Sequence, residues 1–367
     1  MSLLFITQNY YPNKGGMAES CDRLVRNFRK KNIPVHVIHF TNRKPKFLIE
    51  SQINGSYSAV PIHNSDEYTL NLAVRYIQQL NFLKNIKYIV AFGGYLPILM
   101  SPILAKWVDK KLVTLIRGND FDEAIFSKRR EALFYALKNS TYIFTVTRDK
   151  KEKIISLLNH KNTYYTHNGI DSSLWKTTKS QWLQIDQLKE LSHGKKRIVI
   201  IGQLKAKKGI LEFSETFSKF NKKNEYEVWM IGDVDPLMKI DIEKLEINVR
   251  FFPFVNKHKL IPFYYAADIV LIPSFYDGMP NTLLEAAATK NLVIASNVDG
   301  IKDVIENKKD GFLFNPLKPS SLLEVLIKVH KLNKKEKEDV ALQLHKKILE
   351  NFTEEKEIIN YLNILQP

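Results

Sequence analysis

The sequence predicts an α/β protein made of two successive doubly wound halves. Three observations carry this. The 367 residues exceed one ordinary core and suit two domains of about 150 to 200 residues each. Short β-branched apolar runs alternate with segments of helical period. That alternation lapses in a polar stretch after Asp171 and restarts at Arg197. Finally, the segment from Asp268 to Ala288 reads as a buried strand, a tight loop and a helix start, with two carboxylates framing the loop.

In the first half, residues 3–7 form a strand, Gly15 and Gly16 a loop, and 17–31 a helix. Met17, Cys21, Leu24, Val25 and Phe28 make one apolar stripe on that helix and belong to the core. A strand over 34–40 follows, then a basic irregular segment over 42–46. A helix over 70–83 leads to a strand over 88–91, and 112–116, 123–137 and 142–146 read as strand, helix and strand. Residues 163–166 close the half. The apolar run 95–100 is broken by Pro97 and Pro102 and is too short to cross a membrane. Residues 171–194 are polar, lack a sustained period and connect the halves. Strands then fall at 197–201, 227–231, 249–252, 268–273 and 292–295. Helices fall at 210–220, 258–266, from 281 onward, and at 319–332, 335–350 and 354–365. Doubly wound halves of this kind bind ligands at the carboxyl ends of their strands, so a cleft between the halves is the expected site.

The loop after residue 273 runs Ser274-Phe275-Tyr276-Asp277-Gly278-Met279-Pro280-Asn281-Thr282-Leu283-Leu284-Glu285. Gly278 allows close backbone approach, and Asn281 or Thr282 can cap the following helix, whose first amides favour an anion. Asp277 and Glu285 stand eight residues apart, and carboxylates accept paired hydrogen bonds from vicinal hydroxyls, as on a sugar or ribose.

This segment resembles the donor-binding motif of retaining glycosyltransferases of family 4, a Glu-x7-Glu pattern in a GT-B fold of two Rossmann-like domains. Asp277 stands at the first acidic position, one methylene shorter than the family's residue, and Glu285 fits the second. Gly202-Gln203-Leu204-Lys205-Ala206-Lys207-Lys208-Gly209 is similar to the family's Gly-Arg-Leu-x-x-x-Lys-Gly: Lys208 matches the diphosphate-binding lysine, and Gln203 replaces the arginine. Gly15-Gly16, alone usually just a turn, looks like the glycine loop beside the donor diphosphate. Arg117-Gly118-Asn119-Asp120 resembles the segment near the reacting sugar. There Arg117 would stabilise the leaving phosphate or orient the acceptor and Asp120 would bind a hydroxyl. Equally, either could instead form a structural ion pair across the strand end. His167-Asn168-Gly169-Ile170-Asp171 matches the signature turn where the first domain ends, and Phe254 stands where the family's backbone meets the nucleotide base.

The resemblance implies an N-terminal acceptor domain over 1–175, a nucleotide-sugar domain over 176–349, and a final helix over 350–367 that packs back on the first domain. It implies a hexosyl transfer with retained anomeric configuration, catalysed through Asp277, Arg117 and Asp120. The donor would be held by Gly16, Gln203, Lys208, Phe254, Gly278, Met279, Pro280, Asn281, Thr282, Leu283 and Glu285. The acceptor would be a saccharide or a lipid-linked saccharide, in cell-surface polysaccharide, lipopolysaccharide or glycolipid biosynthesis. No cofactor or metal is expected beyond the donor. Asp233-x-Asp235 has a metal-motif spacing but follows a strand away from the motif loop. An epimerase acting on a nucleotide sugar, or a sugar phosphorylase, would share the fold.

The net charge is +16, and residues 1–175 hold most of it, with 25 Lys and Arg against 13 Asp and Glu. Such an excess fits a nucleic acid, an anionic membrane or a polyanionic substrate. The aromatics fall mostly in strands and on apolar helix faces, which argues against nucleic acid. Arg23, Arg26 and Lys30 recur on one helix face, with Arg43, Lys44 and Lys46 and the run Lys128, Arg129 and Arg130 beyond. The expectation is peripheral binding of the 17–31 helix at an anionic inner-leaflet surface. Cys21 is the only cysteine, which fits a reducing compartment, and the N-terminus lacks a basic leader, so a cytoplasmic protein is expected.

Overall fold

The computed structural model describes residues 1–44 and 46–366 and forms two compact units, 1–168 with 354–367 and 169–353. Pro45, inside the segment expected to be irregular, lies outside the described residues. The division falls at Asn168 and Gly169, within the Asn-Gly turn, where the sequence pattern put it at 175.

The first unit holds β1 (Leu3–Thr7), β2 (Val35–Thr41), β3 (Leu48–Gln52), β4 (Gly55–Pro61), β5 (Tyr88–Phe92), β6 (Lys111–Ile116), β7 (Tyr142–Thr145) and β8 (Thr163–Tyr165). They form one sheet in the order β3-β4-β2-β1-β5-β6-β7-β8, parallel except for β3. Alternate residues of β1 serve opposite faces: Leu3 and Phe5 join one core, Leu4 and Ile6 the other. The first core includes Cys21, Leu24, Val25 and Phe28 of the helix Gly16–Lys30, as its stripe required, together with Ile358, Tyr361 and Leu365 of the helix Glu354–Leu365.

The second unit holds β9 (Lys196–Ile201), β10 (Tyr226–Ile231), β11 (Val249–Phe252), β12 (Ile269–Ile272), β13 (Leu292–Ser296) and β14 (Phe312–Phe314). The sheet is fully parallel in the order β11-β10-β9-β12-β13-β14. The α/β architecture of two Rossmann-like units is thus present as expected.

Several elements went unread in the sequence. β3 and β4 form a hairpin turned at Ile53 and Asn54 (φ 55°), with Gly55 opening β4 opposite Gln52. β3 is a largely exposed edge with no sustained apolar pattern, and β4, though buried, has its apolar run interrupted by Ser56 and Ser58. The helix Tyr95–Trp107 tolerates Pro97 in its first turn and Pro102 in its interior because its burial outweighs one lost hydrogen bond. The expected linker contains the helix Lys179–Glu190, fixed by a capping box between Thr178 and Gln181 and burying only Ile185, too little for a visible period. The helix expected over 123–137 is broken into Asn119–Asp122, a 3-10 turn Ala124–Phe126 and Arg130–Lys138.

Candidate functional site

In the second unit the chain winds outward from β9 through β10 to β11, then returns to the other flank for β12, β13 and β14. The winding reverses between β9 and β12. Their outgoing loops diverge there and leave the crevice in which parallel sheets bind ligands. The loop after β9 carries Gln203 and Lys208; the loop after β12 carries Asp277, Gly278, Met279 and Pro280 and enters the helix Asn281–Ala288.

The two loops are tied together. The Phe275 N–H donates to the Lys207 carbonyl at 2.9 Å. The Lys208 ammonium donates to the Asp277 carboxylate in an ion pair whose side chains remain 22% and 17% exposed. The Lys207 ammonium lies 5.6 Å from the Tyr276 ring centroid. Gly209 has φ 61°, and a Cβ there would stand 2.3 Å from the Pro273 carbonyl oxygen, so only glycine lets the loops approach this closely. Burial pushes the Asp277 carboxyl up, but the Lys208 ammonium outweighs it and holds the group below the usual aspartate range. The crevice therefore contains one cation and one anion that are partly solvated and facing each other, a pair that an incoming phosphate and hydroxyl can separate.

The remaining donor candidates divide. Gln203 is exposed at the start of the β9 loop. Phe254 follows β11 on the same strand edge, two strands over, and is half-buried. The helix Asn281–Ala288 is capped by neither Asn281 nor Thr282: Pro280 is its N-cap, with no side-chain bond, so the expected cap is corrected. Thr282 reaches back to the Ile201 carbonyl at 3.4 Å. Leu283 is 0% exposed and its N–H is committed to the Pro280 carbonyl, which makes it a core residue rather than a donor contact. Met279 is buried as well. Glu285 is 5% exposed; its carboxylate accepts from the Tyr264 hydroxyl at 2.8 Å and stands 3.8 Å from the Lys257 ammonium. Its oxygens therefore already have partners within the protein.

One further part of this site was missed. Gly232, at φ 136° just after β10, packs so closely that a Cβ would lie 1.9 Å from the Gly202 carbonyl oxygen. Each of these glycines directly follows an apolar strand, which was the available signal. Asp235 of the Asp-x-Asp spacing is the N-cap of the helix Pro236–Glu243, accepting from the Leu237 and Met238 amides at 3.0 and 3.2 Å.

The first unit reverses its winding between β1 and β5, and a cavity of about 480 Å³ opens at that place. Asn9, Met17, Gly94, Tyr95, Asp120 and Arg129 are among its walls. Gly16 is the first residue of the helix Gly16–Lys30 and precedes the cavity residue Met17. Gly94, with φ 101°, lets the chain pass Gln8, whose side-chain oxygen accepts the Leu96 amide at 3.0 Å. The Asp120 carboxylate accepts the Arg117 amide at 3.0 and 2.9 Å and the Gly118 amide at 2.7 Å, and burial pushes its pKa up. It fixes the turn at the cavity wall.

Arg117 is corrected. Its side chain is 3% exposed and turns away into a buried network. There it donates to the Tyr361 hydroxyl at 3.0 Å and to the Asn168 side-chain oxygen, 3.6 Å from Glu357. The expected basic face of the first helix is corrected too. Arg23 is 4% exposed and pairs with Glu357 at 2.7 Å, and Arg26 pairs with Glu354 at 3.0 Å. An acidic partner more than three hundred residues away does not show in the periodicity of one helix. His167 bonds the Asn168 carbonyl through Nδ1 at 3.0 Å, and burial lowers its pKa, as a structural turn histidine.

Residues 184–342 match the family model described as glycosyl transferases group 1. The chain is 25% identical over 344 residues to an uncharacterized glycosyltransferase of Methanocaldococcus jannaschii, covering 88% of this chain and 87% of that protein. It is 36% identical over 64 residues, 17% of this chain and 16% of the other, to a UDP-Gal:alpha-D-GlcNAc-diphosphoundecaprenol alpha-1,3-galactosyltransferase of Escherichia coli. In three dimensions it is similar to Anabaena HepE, solved in complex with UDP and glucose, with a TM-score of 0.81 at 16% identity, covering 100% of this chain and 99% of that one. The fold is GT-B.

Proposed function

We propose, from the premise that residues 184–342 form a group 1 glycosyltransferase domain within a GT-B fold, that the protein transfers a hexosyl group from a nucleotide-diphosphate sugar with retained anomeric configuration. The observation that carries this reading is the Lys208–Asp277 pair across the winding reversal of the second unit. The donor diphosphate takes the Lys208 ammonium, together with the first amides of the helix Asn281–Ala288. Asp277, released from Lys208, accepts hydroxyls of the sugar. As the bond from the anomeric carbon to the diphosphate breaks, charge grows on the leaving oxygen, and Lys208 opposes it. The acceptor hydroxyl bonds to the same carbon and its proton leaves with the diphosphate.

A uridine nucleotide is the donor class favoured, since HepE was solved with UDP-glucose and the Escherichia coli relative is described as using UDP-Gal. The acceptor occupies the cavity of the first unit, and the diphosphoundecaprenol acceptor of that relative supports a lipid-linked saccharide. No helix among the described residues is long and apolar enough to cross a membrane. A lipid-linked acceptor of that kind is the reason to propose a peripheral enzyme on the cytoplasmic side.

Calorimetric titration with UDP and a set of UDP-sugars tests the donor site: binding of UDP lost in Lys208→Ala is expected. Product anomers analysed by NMR test retention, and an inverted product would refute it. Incubation with donor alone tests for an epimerase, which would return a changed nucleotide sugar.

A further inference from the structure

Phe126 is 91% exposed, more than any other large apolar side chain among the described residues. It is not on a loose tip. It ends the 3-10 turn Ala124–Phe126, and Ser127 fastens the next residues of the chain. The Ser127 amide and hydroxyl both donate to the Ala124 carbonyl at 3.1 Å, the Arg129 amide donates to the Ser127 hydroxyl at 3.2 Å, and the Arg130 amide to the Ser127 carbonyl at 3.1 Å. Ala124 and Ile125 pack inward on Ile116, Phe121 and Leu133. The turn is thus anchored while its ring points to solvent.

Three cations come directly after it in the chain, Lys128, Arg129 and Arg130, all exposed. Arg129 stacks 5.1 Å from the Tyr95 ring centroid. Lys128 and Arg130 have no carboxylate partner among the described residues. Glu123 and Glu131 flank the segment, and both are exposed. Lys128 and Arg129 also line the cavity of the first unit, so this segment is part of its rim.

One ring beside a basic run is too little apolar surface for a stable protein interface, which needs about 800 Å² per partner. It suits a bilayer, where an aromatic ring settles at the headgroup boundary and cations meet lipid phosphates. The chain's net charge of +16 acts in the same direction. We infer that the turn 124–130 docks this protein on an anionic bilayer, with Phe126 entering the interface and Lys128, Arg129 and Arg130 on the headgroups, so that the cavity mouth opens at the level from which a lipid-linked acceptor extends. The inference rests on the reading of the first unit as the acceptor unit, and it moves the membrane contact away from the helix Gly16–Lys30.

Cys21 is 0% exposed, so Phe126→Cys offers one accessible thiol for an environment-sensitive fluorophore. With phosphatidylglycerol-containing vesicles the emission is expected to shift to the blue, with no shift on phosphatidylcholine alone and reversal by salt. In co-sedimentation, Phe126→Ser is expected to bind about tenfold more weakly, and a Lys128→Gln, Arg129→Gln, Arg130→Gln variant on the order of a hundredfold more weakly. Phe126→Ser should bind UDP as the wild type does, which also reports that it is folded. Wild type that does not bind anionic vesicles, or a label that stays solvent-like while the protein sediments, would overturn the inference. UDP titration is a separate readout, so a failed donor reading is told apart from a failed docking surface.

Discussion

Lys208 and Asp277 neutralise one another across the crevice when no phosphate is present. A donor must first take Lys208 away from Asp277, and the cost of that exchange enters its apparent affinity. Asp277→Asn should therefore tighten binding of free UDP, by roughly tenfold or more for one charge-assisted hydrogen bond of about 1.5–3 kcal/mol, while lowering transfer. Calorimetry and a transfer assay read the two effects separately, and unchanged UDP affinity would mean that Lys208 does not hold the diphosphate. Glu357 presents the opposite case. It is 0% exposed and is shared by Arg23 and Arg117. Glu357→Gln leaves two buried guanidinium groups without a carboxylate and should cost about 3–5 kcal/mol of stability in urea unfolding. The folded variant should keep its UDP affinity, since none of these groups lies in the second unit.

Among the elements, β2 makes the first unit acid-sensitive. His39 is fully buried, bonding the Tyr57 hydroxyl at 3.0 Å through Nδ1, and burial lowers its pKa to about 4; burial and Arg29 lower His36 to about 4 as well. Unfolded histidines titrate near 6.5. Below that pH the unfolded chain takes protons that the folded strand refuses, so stability present above about 6.5 should be lost progressively towards pH 4. Thermal unfolding followed between those pH values should show the fall, and His39→Gln should flatten it; a flat profile in the wild type would contradict both shifts. The loops after β9 and β12 hang on Gly209. Gly209→Ala adds a Cβ against the Pro273 carbonyl at a left-handed φ, and should lower stability by at least about 1 kcal/mol and weaken UDP binding together.

At the scale of the molecule, each unit has its own cores, and Lys208, Asp277 and the helix Asn281–Ala288 all lie in the second unit. A ligand that binds the second unit alone should then stabilise that unit. UDP at 100 times its dissociation constant should add about 2.7 kcal/mol. In scanning calorimetry it should raise the transition of the second unit, identified as the one shifted by Gly209→Ala, and leave the transition shifted by Glu357→Gln in place. Equal shifts of both would show that the units unfold as one.

The sequence by itself determined the two doubly wound halves, the apolar stripe of the first helix and the loop that carries Asp277. These rest on local period and on turn chemistry, which neighbouring residues fix. It did not disclose β3 or the helix Lys179–Glu190, because elements that bury little carry little apolar signal, nor β4, whose buried run is interrupted by Ser56 and Ser58. Nor did it separate Leu283 and Glu285, two and four positions into one helix, into a core residue and a carboxylate already bonded to Tyr264. Above all, only the tertiary structure decided the fate of Arg23 and Arg117. Alone, each is a cation near a strand end or on a helix face. Glu357 and Tyr361 reach them only because the chain returns to the first unit at Glu354, where Asn168 joins the same network, and a buried charge takes its role from the partner folding brings to it, not from its neighbours in sequence.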